Sequence, residues 1–182
     1  MKTKTRHEPI ADRMVADVEP VLRKYAAQAE ANRRLAPEAI KAIVDAGLMR
    51  SWTPKAYGGL EMDPISGFKM FEALARIDSA AGWIVANSSA IASFSWYPAE
   101  ANREMRMDLR GFPAGSWFPP GTAEPVEGGY RVSGQWSFAS GCNYANWLTG
   151  QALVTENGAP KIGADGNPIP LIVFFPASEG KI

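Results

Sequence analysis

The chain has 182 residues, 46% of them apolar and 21% charged, and 19 basic side chains balance 19 acidic ones. This composition excludes a disordered or fibrous chain, and zero net charge supplies no long-range field for steering toward nucleic acid or an anionic membrane. The single cysteine, Cys142, excludes an internal disulfide and a cysteine-based zinc site, which favours a reducing compartment, the cytoplasm.

The basic start, Met1-Lys2-Thr3-Lys4-Thr5-Arg6, runs into Glu8, Asp12 and Asp17 rather than the apolar core of an export signal. No stretch approaches the ~18 apolar residues of a membrane span. Two compositions meet near Arg110: the first 110 residues hold 11 of the 31 Gly plus Pro and 30 of the 38 charged residues. Helices exclude Gly and Pro from their interiors, whereas short strands need frequent turns. The chain therefore reads as a helical domain over 1–110 followed by a β domain over 111–182.

In the first half, Ile10, Met14, Val18, Val21, Leu22 and Tyr25 recur at helical spacing, with Pro20 expected to bend or divide the helix. Pro37 opens a second helix with Ile40, Ile43 and Val44 on its apolar side and Gly47 past its end. The stretch 48–62 reads as a loop pinned by Leu48, Trp52 and Tyr57. Asp63-Pro64 supplies a cap and a first-turn proline for a helix bearing Phe68, Phe71, Leu74 and Ile77. Ser79 is the expected cap of the next segment, 80–96, which has no charged residue and is expected to be buried. Its polar groups, Trp83, Asn87, Ser88, Ser89, Ser93 and Ser95, require partners, either neighbouring backbone or a ligand. Pro98 opens a last, charged helix.

In the second half, a hairpin is expected over 122–137, with Phe138 continuing its alternation. Glu127-Gly128-Gly129 forms its turn, and Tyr130, Val132, Trp136 and Phe138 alternate with Arg131, Ser133, Gln135 and Ser137. A strand over 147–154, a turn at Asn157-Gly158, an excursion over 158–170 and a strand over 171–175, buried on both faces, complete the pattern.

Familiar catalytic templates fail. There is no dinucleotide or phosphate loop, and His7 is the only histidine. Ser66 and Lys69 match a Ser-x-x-Lys pattern without its companions, Cys142 has no histidine beside it, and Glu61 with Asp63 reads as loop and cap. Trp117, Phe118, Trp136, Phe138 and Trp147 crowd the β half, which suits either core packing or a planar bound ring.

Three stretches together resemble the acyl-CoA dehydrogenase superfamily. They are Leu48-Met49-Arg50 with Lys55-Ala56-Tyr57-Gly58-Gly59, the helix pair over 63–83, and Gly128-Gly129-Tyr130-Arg131-Val132-Ser133-Gly134-Gln135-Trp136-Ser137-Phe138-Ala139-Ser140-Gly141. The resemblance implies an α+β chain: an N-terminal all-α domain, then an antiparallel β-barrel domain that is incomplete here, with the family's C-terminal four-helix bundle missing. In dehydrogenases of this family a Trp-Ile-Thr segment lies against the flavin, and counting from Gly134 places Phe138, Ala139 and Ser140 there. A second flavin-contacting segment corresponds to Ser116-Trp117-Phe118-Pro119-Pro120-Gly121-Thr122, which departs from the family's Thr-Glu-Pro and Gly-Ser-Asp; Trp117 and Phe118 become the cofactor candidates. Trp83 and Asn87 match the helix that lines the family's substrate cavity, with packing as the alternative role.

The 128–141 stretch is similar to the hairpin of the flavin-dependent monooxygenase branch, such as two-component phenol hydroxylase oxygenases and dibenzothiophene monooxygenases. That similarity implies FAD or FMN, reduced by or received from an NAD(P)H-dependent flavin reductase. It further implies O2, an aromatic or heteroaromatic substrate hydroxylated through a C4a-hydroperoxyflavin, and a homotetramer at full length. Zero net charge, the lack of a long apolar run and a lone histidine lead to the expectation of no metal, nucleic-acid or membrane partner. Two other readings remain, an acyl-CoA dehydrogenase and a catalytically inactive fragment or scaffold. The residues that would decide the reaction belong to the family's C-terminal bundle, so no catalytic residue is assigned.

Overall fold

The computed structural model describes residues 9–92, 97–106 and 111–181; His7, Ser93, Ser95, Trp96 and Arg110 lie outside them. The chain forms two compact units, Met1–Phe112 and Pro113–Ile182.

The first unit is helical. Helix α1 (Pro9–Asn32) buries Ala11, Val15, Val18 and Leu22 at spacings of four and three, and it runs through Pro20 undivided. Pro20 and Ala16, whose carbonyl loses its bond to the missing N–H, both face solvent, so water can take over. Helix α2 (Pro37–Asp45) starts on its proline and is followed by Gly47 in the left-handed region, φ 77°, with Gly47 N–H donating to the Val44 carbonyl at 2.9 Å.

The loop over 48–62 closes on itself: the N–H groups of Leu60, Glu61 and Met62 donate to the carbonyls of Arg50, Thr53 and Ser51 at 2.8–3.0 Å. Helix α3 (Pro64–Ile77) is capped by Asp63, whose Oδ1 accepts from the N–H of Ile65 and Ser66, each at 3.0 Å. Its buried face is Ser66, Gly67, Met70, Phe71 and Leu74, which leaves Phe68 turned outward.

Helix α4 (Ser79–Ala92) is capped by Asp78 rather than Ser79, because Asp78 Oδ1 accepts the Ala81 N–H at 2.9 Å. Its uncharged sequence predicts burial on all sides. In the structure Ala81, Ile84, Val85, Ser88 and Ser89 are buried, while Trp83 stays 61% exposed. The Ser51 hydroxyl donates to Ser89 Oγ at 2.8 Å, tying α4 to the loop. Helix α5 (Ala99–Arg106) ends the described helical part.

The second unit is one mixed sheet. Strand β1 (Pro113–Val126) pairs antiparallel with β2 (Gly129–Ser133), from Thr122 opposite Ser133 to Val126 opposite Gly129. Strand β3 (Trp147–Glu156) pairs with β1 in parallel, and antiparallel with β4 (Ala159–Pro160) and β5 (Pro170–Pro176). The expected antiparallel barrel is therefore corrected: β1 and β3 run parallel and the sheet is open, with β2 as an outer strand among the described residues. Parallel neighbours need a long connection, and β2 together with the loop over 134–146 provides it.

The expected hairpin is also shorter. Its second strand ends at Ser133, so Trp136 and Phe138 belong to the loop. On β5 only Val173 is buried, against the expectation of burial on both faces. Ala123, Ala152 and Val173 form a small core, with Val132, Leu171 and Phe175 packed around it.

Candidate functional site

The β1–β3 ladder breaks at one place. Ser116 stands opposite Gly150 and Gly121 opposite Ala152, so Trp117, Phe118, Pro119 and Pro120 bulge out against the single Gln151. Two consecutive prolines have no N–H to give a ladder, which is why the break falls there. The Ser116 hydroxyl holds the start of the bulge, donating to the Phe118 carbonyl at 3.2 Å. Trp117 is 42% and Phe118 75% exposed.

Trp136 lies over this break. A Cβ added to Gly150 would stand 2.5 Å from its ring, one on Gly121 2.6 Å and one on Gly134 2.7 Å, closer than real Cβ contacts come. Only glycine at these three positions leaves room for the indole. The Trp136 Nε1–H donates to the carbonyl of Gln151, the residue facing the bulge, at 2.9 Å, and Phe175 flanks the ring at 6.1 Å between centroids. Sequence reading assigned Trp136 to a strand and missed this role; glycines at 121, 134 and 150 were the available signal.

Two residues beyond the anchor, the loop projects Phe138. Its ring is 95% exposed and its φ is 62°. A left-handed backbone costs a residue with a side chain about 1–2 kcal/mol, and an almost fully exposed ring recovers little of that by burial. Strain that packing does not reward is a mark of a functional position. Next to it, the Ser140 N–H donates to the Phe138 carbonyl at 2.8 Å and the Cys142 N–H to the Ala139 carbonyl at 3.0 Å, so the segment is a folded turn rather than strand. Ala139 and Ser140 are half-buried.

The structure thus brings Trp117 and Phe118 on the bulge, and Phe138, Ala139 and Ser140 on the loop, to the two segments that Trp136 joins. Exposed rings and a turn carrying a hydroxyl fit a planar heteroaromatic group with a hydrogen-bonding edge, as a flavin has.

Trp83 and Asn87 lie one turn apart on α4. Asn87 Nδ2 donates to the Trp83 carbonyl at 2.8 Å, so its amide is satisfied within the helix. Ser88 Oγ is buried with no partner among the described residues. The Ser-x-x-Lys pattern does not assemble, since Ser66 is buried and Lys69 faces solvent. Among the described residues no group of three or more His, Cys, Asp or Glu could hold a metal, and no helix is long and apolar enough to cross a membrane.

A helical unit followed by a sheet unit with this aromatic loop defines a class, and comparison with known proteins agrees. Residues 4–105 match the acyl-CoA dehydrogenase N-terminal domain, and the chain belongs to the acyl-CoA dehydrogenase family. Within that family it is similar to oxygenase components. It is 30% identical over 161 residues to the flavin-dependent monooxygenase oxygenase subunit HsaA of Rhodococcus jostii, covering 86% of this chain and 39% of the relative. It is 32% identical over 173 residues to the p-hydroxyphenylacetate 3-hydroxylase oxygenase component of Acinetobacter baumannii, covering 92% and 39%.

Among solved structures it resembles XiaF from Streptomyces in complex with FADH2, with TM-score 0.81, 28% identity, and 93% of this chain and 42% of that one covered. The HsaA monooxygenase of Mycobacterium tuberculosis superposes with TM-score 0.79 at 28% identity, over 93% and 44%. The chain spans about two fifths of the length of the curated relatives it matches.

Proposed function

We propose that the chain is the helical and flavin-contacting part of the oxygenase component of a two-component monooxygenase that hydroxylates an aromatic or heteroaromatic ring. The observation that carries the reading is Phe138, exposed and held in a left-handed backbone two residues beyond the Trp136 that sits over the bulge bearing Trp117 and Phe118. The oxygenase relatives support it, XiaF in particular having been solved with FADH2.

Reduced FAD or FMN, when bound, supplies the activation of O2 that no side chain here can perform. The protein's part is to hold that group and shield it. Phe138, Phe118 and Trp117 would supply rings for its plane, while the Ser140 hydroxyl and the Ala139 backbone would meet its polar edge. Excluding water favours productive oxygen transfer over loss of peroxide. Two electrons come from NAD(P)H through a separate reductase; one oxygen atom enters the substrate and the other leaves as water. Trp83 and Asn87 are assigned to the substrate side, a homotetramer to the full-length assembly, and the cytoplasm to its location.

The test is titration of the chain with FAD, FMN and their dithionite-reduced forms, followed by fluorescence, alongside Phe138→Ala. Saturable binding weakened about tenfold by the substitution is expected, one decade corresponding to ~1.4 kcal/mol of lost ring contact. No binding of either flavin would sink the reading. In the presence of a flavin reductase and NADH, oxygen uptake stimulated by phenols supports hydroxylation, and bleaching of oxidised flavin by an acyl-CoA would favour the dehydrogenase instead.

A further inference from the structure

We propose that Trp136 is a positioning residue: by plugging the break in the β1–β3 ladder, it locks the bulge carrying Trp117 and Phe118 to the loop carrying Phe138. This role rests on the flavin-contact reading for its purpose but on geometry for its existence. The β1 and β3 groups that cradle the indole mark the break. Gly121 closes the bulge on β1, Gly150 is the last β3 residue paired before it, and the Gln151 carbonyl that takes the indole N–H belongs to the residue facing it. Gly134 lies two residues before Trp136 and gives the chain room to turn from β2 onto the sheet face.

Beyond the anchor the loop folds on itself. Its backbone bonds over 138–145 are internal, from Ser140 to Phe138, Cys142 to Ala139, and Tyr144 and Ala145 to Gly141. Such bonds shape the turn, and at the loop's far end the Asn146 carbonyl accepts the Ala177 N–H at 2.9 Å. An anchored tryptophan two residues before an exposed, left-handed Phe138 fixes where that ring points, and the same indole restrains the bulge. The two ring-bearing segments therefore move as one body.

The test uses the chain with Trp136→Ala and Trp136→Phe, each alone and combined with Phe138→Ala. The first readout needs no flavin: chymotrypsin cleavage after Phe138, with hydrogen exchange of the β1–β2 and β3–β5 amides confirming that the sheet is intact. Trp136→Ala is expected to speed that cleavage about tenfold, the decade equivalent to ~1.4 kcal/mol of lost restraint. Trp136→Phe, which refills the cradle without the bond to Gln151, is expected to fall between wild type and Trp136→Ala. The second readout is FAD affinity, where Trp136→Ala and Phe138→Ala should each weaken binding and the double variant should lose no more than the worse single one.

Unchanged cleavage after Phe138 in both Trp136 variants overturns the proposal, as do fully additive losses of affinity. Should Trp136→Ala fail to fold, Trp136→Phe alone decides by the same cleavage. Should the wild-type chain bind no flavin, the functional reading fails while cleavage still decides whether Trp136 holds the loop.

Discussion

Phe138 pairs two properties that stability alone would not select, a ring almost wholly in water and a backbone in the left-handed region. Glycine adopts that region without the clash between Cβ and the following carbonyl. Phe138→Gly is therefore expected to raise stability by about 0.5–1 kcal/mol, once the larger entropy of glycine in the unfolded chain is set against the relieved strain. The same substitution should weaken flavin binding at least as much as Phe138→Ala. Urea unfolding and flavin titration on one preparation check both signs. A destabilised glycine variant would mean that the ring is held by contacts the exposed geometry does not suggest. The sequence motif singles out this residue but not its conformation, since alternation through Tyr130, Val132, Trp136 and Phe138 reads as strand and conceals the loop that begins at Gly134.

Elements whose signals are local were legible. Asp63-Pro64 places a cap and a first-turn proline side by side, and α3 starts there with two N–H groups on one carboxylate oxygen. Asp63→Ala leaves both donors without that partner and is expected to cost about 1 kcal/mol, read as a lower midpoint in urea with unchanged slope. A change below about 0.3 kcal/mol would show that water replaces the carboxylate at no loss.

Where competing local signals are adjacent, reading slips by a residue: Ser79 and Asp78 are both capping types, and only the structure shows the carboxylate taking the Ala81 N–H. Signals that depend on distant chain were not legible. The first four residues of β1, Pro113 to Ser116, look like loop, because the partner that makes them strand is β3, reached only after the loop over 134–146. A parallel pairing leaves no turn in the sequence to announce it, so nothing local could correct the antiparallel barrel that the family resemblance implied.

At the scale of the whole molecule, the family match over 4–105 falls on the helical unit, whereas every cofactor residue proposed here lies between Trp117 and Ser140 in the sheet unit. The two units should therefore respond differently to flavin. A ligand that binds only the folded state stabilises it by RT ln(1 + [L]/Kd), about 2.7 kcal/mol at a hundred times Kd. That stabilisation belongs to the structure whose opening breaks the site, so it is distributed along the chain as hydrogen exchange reports it. With saturating FAD, amides of β1 and β3 and those of Ser140 and Cys142 are expected to exchange more slowly, by up to about a hundredfold for amides that exchange only when the sheet unit opens. Amides in α1 and α2, remote in sequence from the proposed contacts, should keep their rates. Slowing centred on α4 around Trp83 and Asn87, with none in the sheet unit, would move the cofactor to the residues assigned here to substrate and overturn the division of labour between the units.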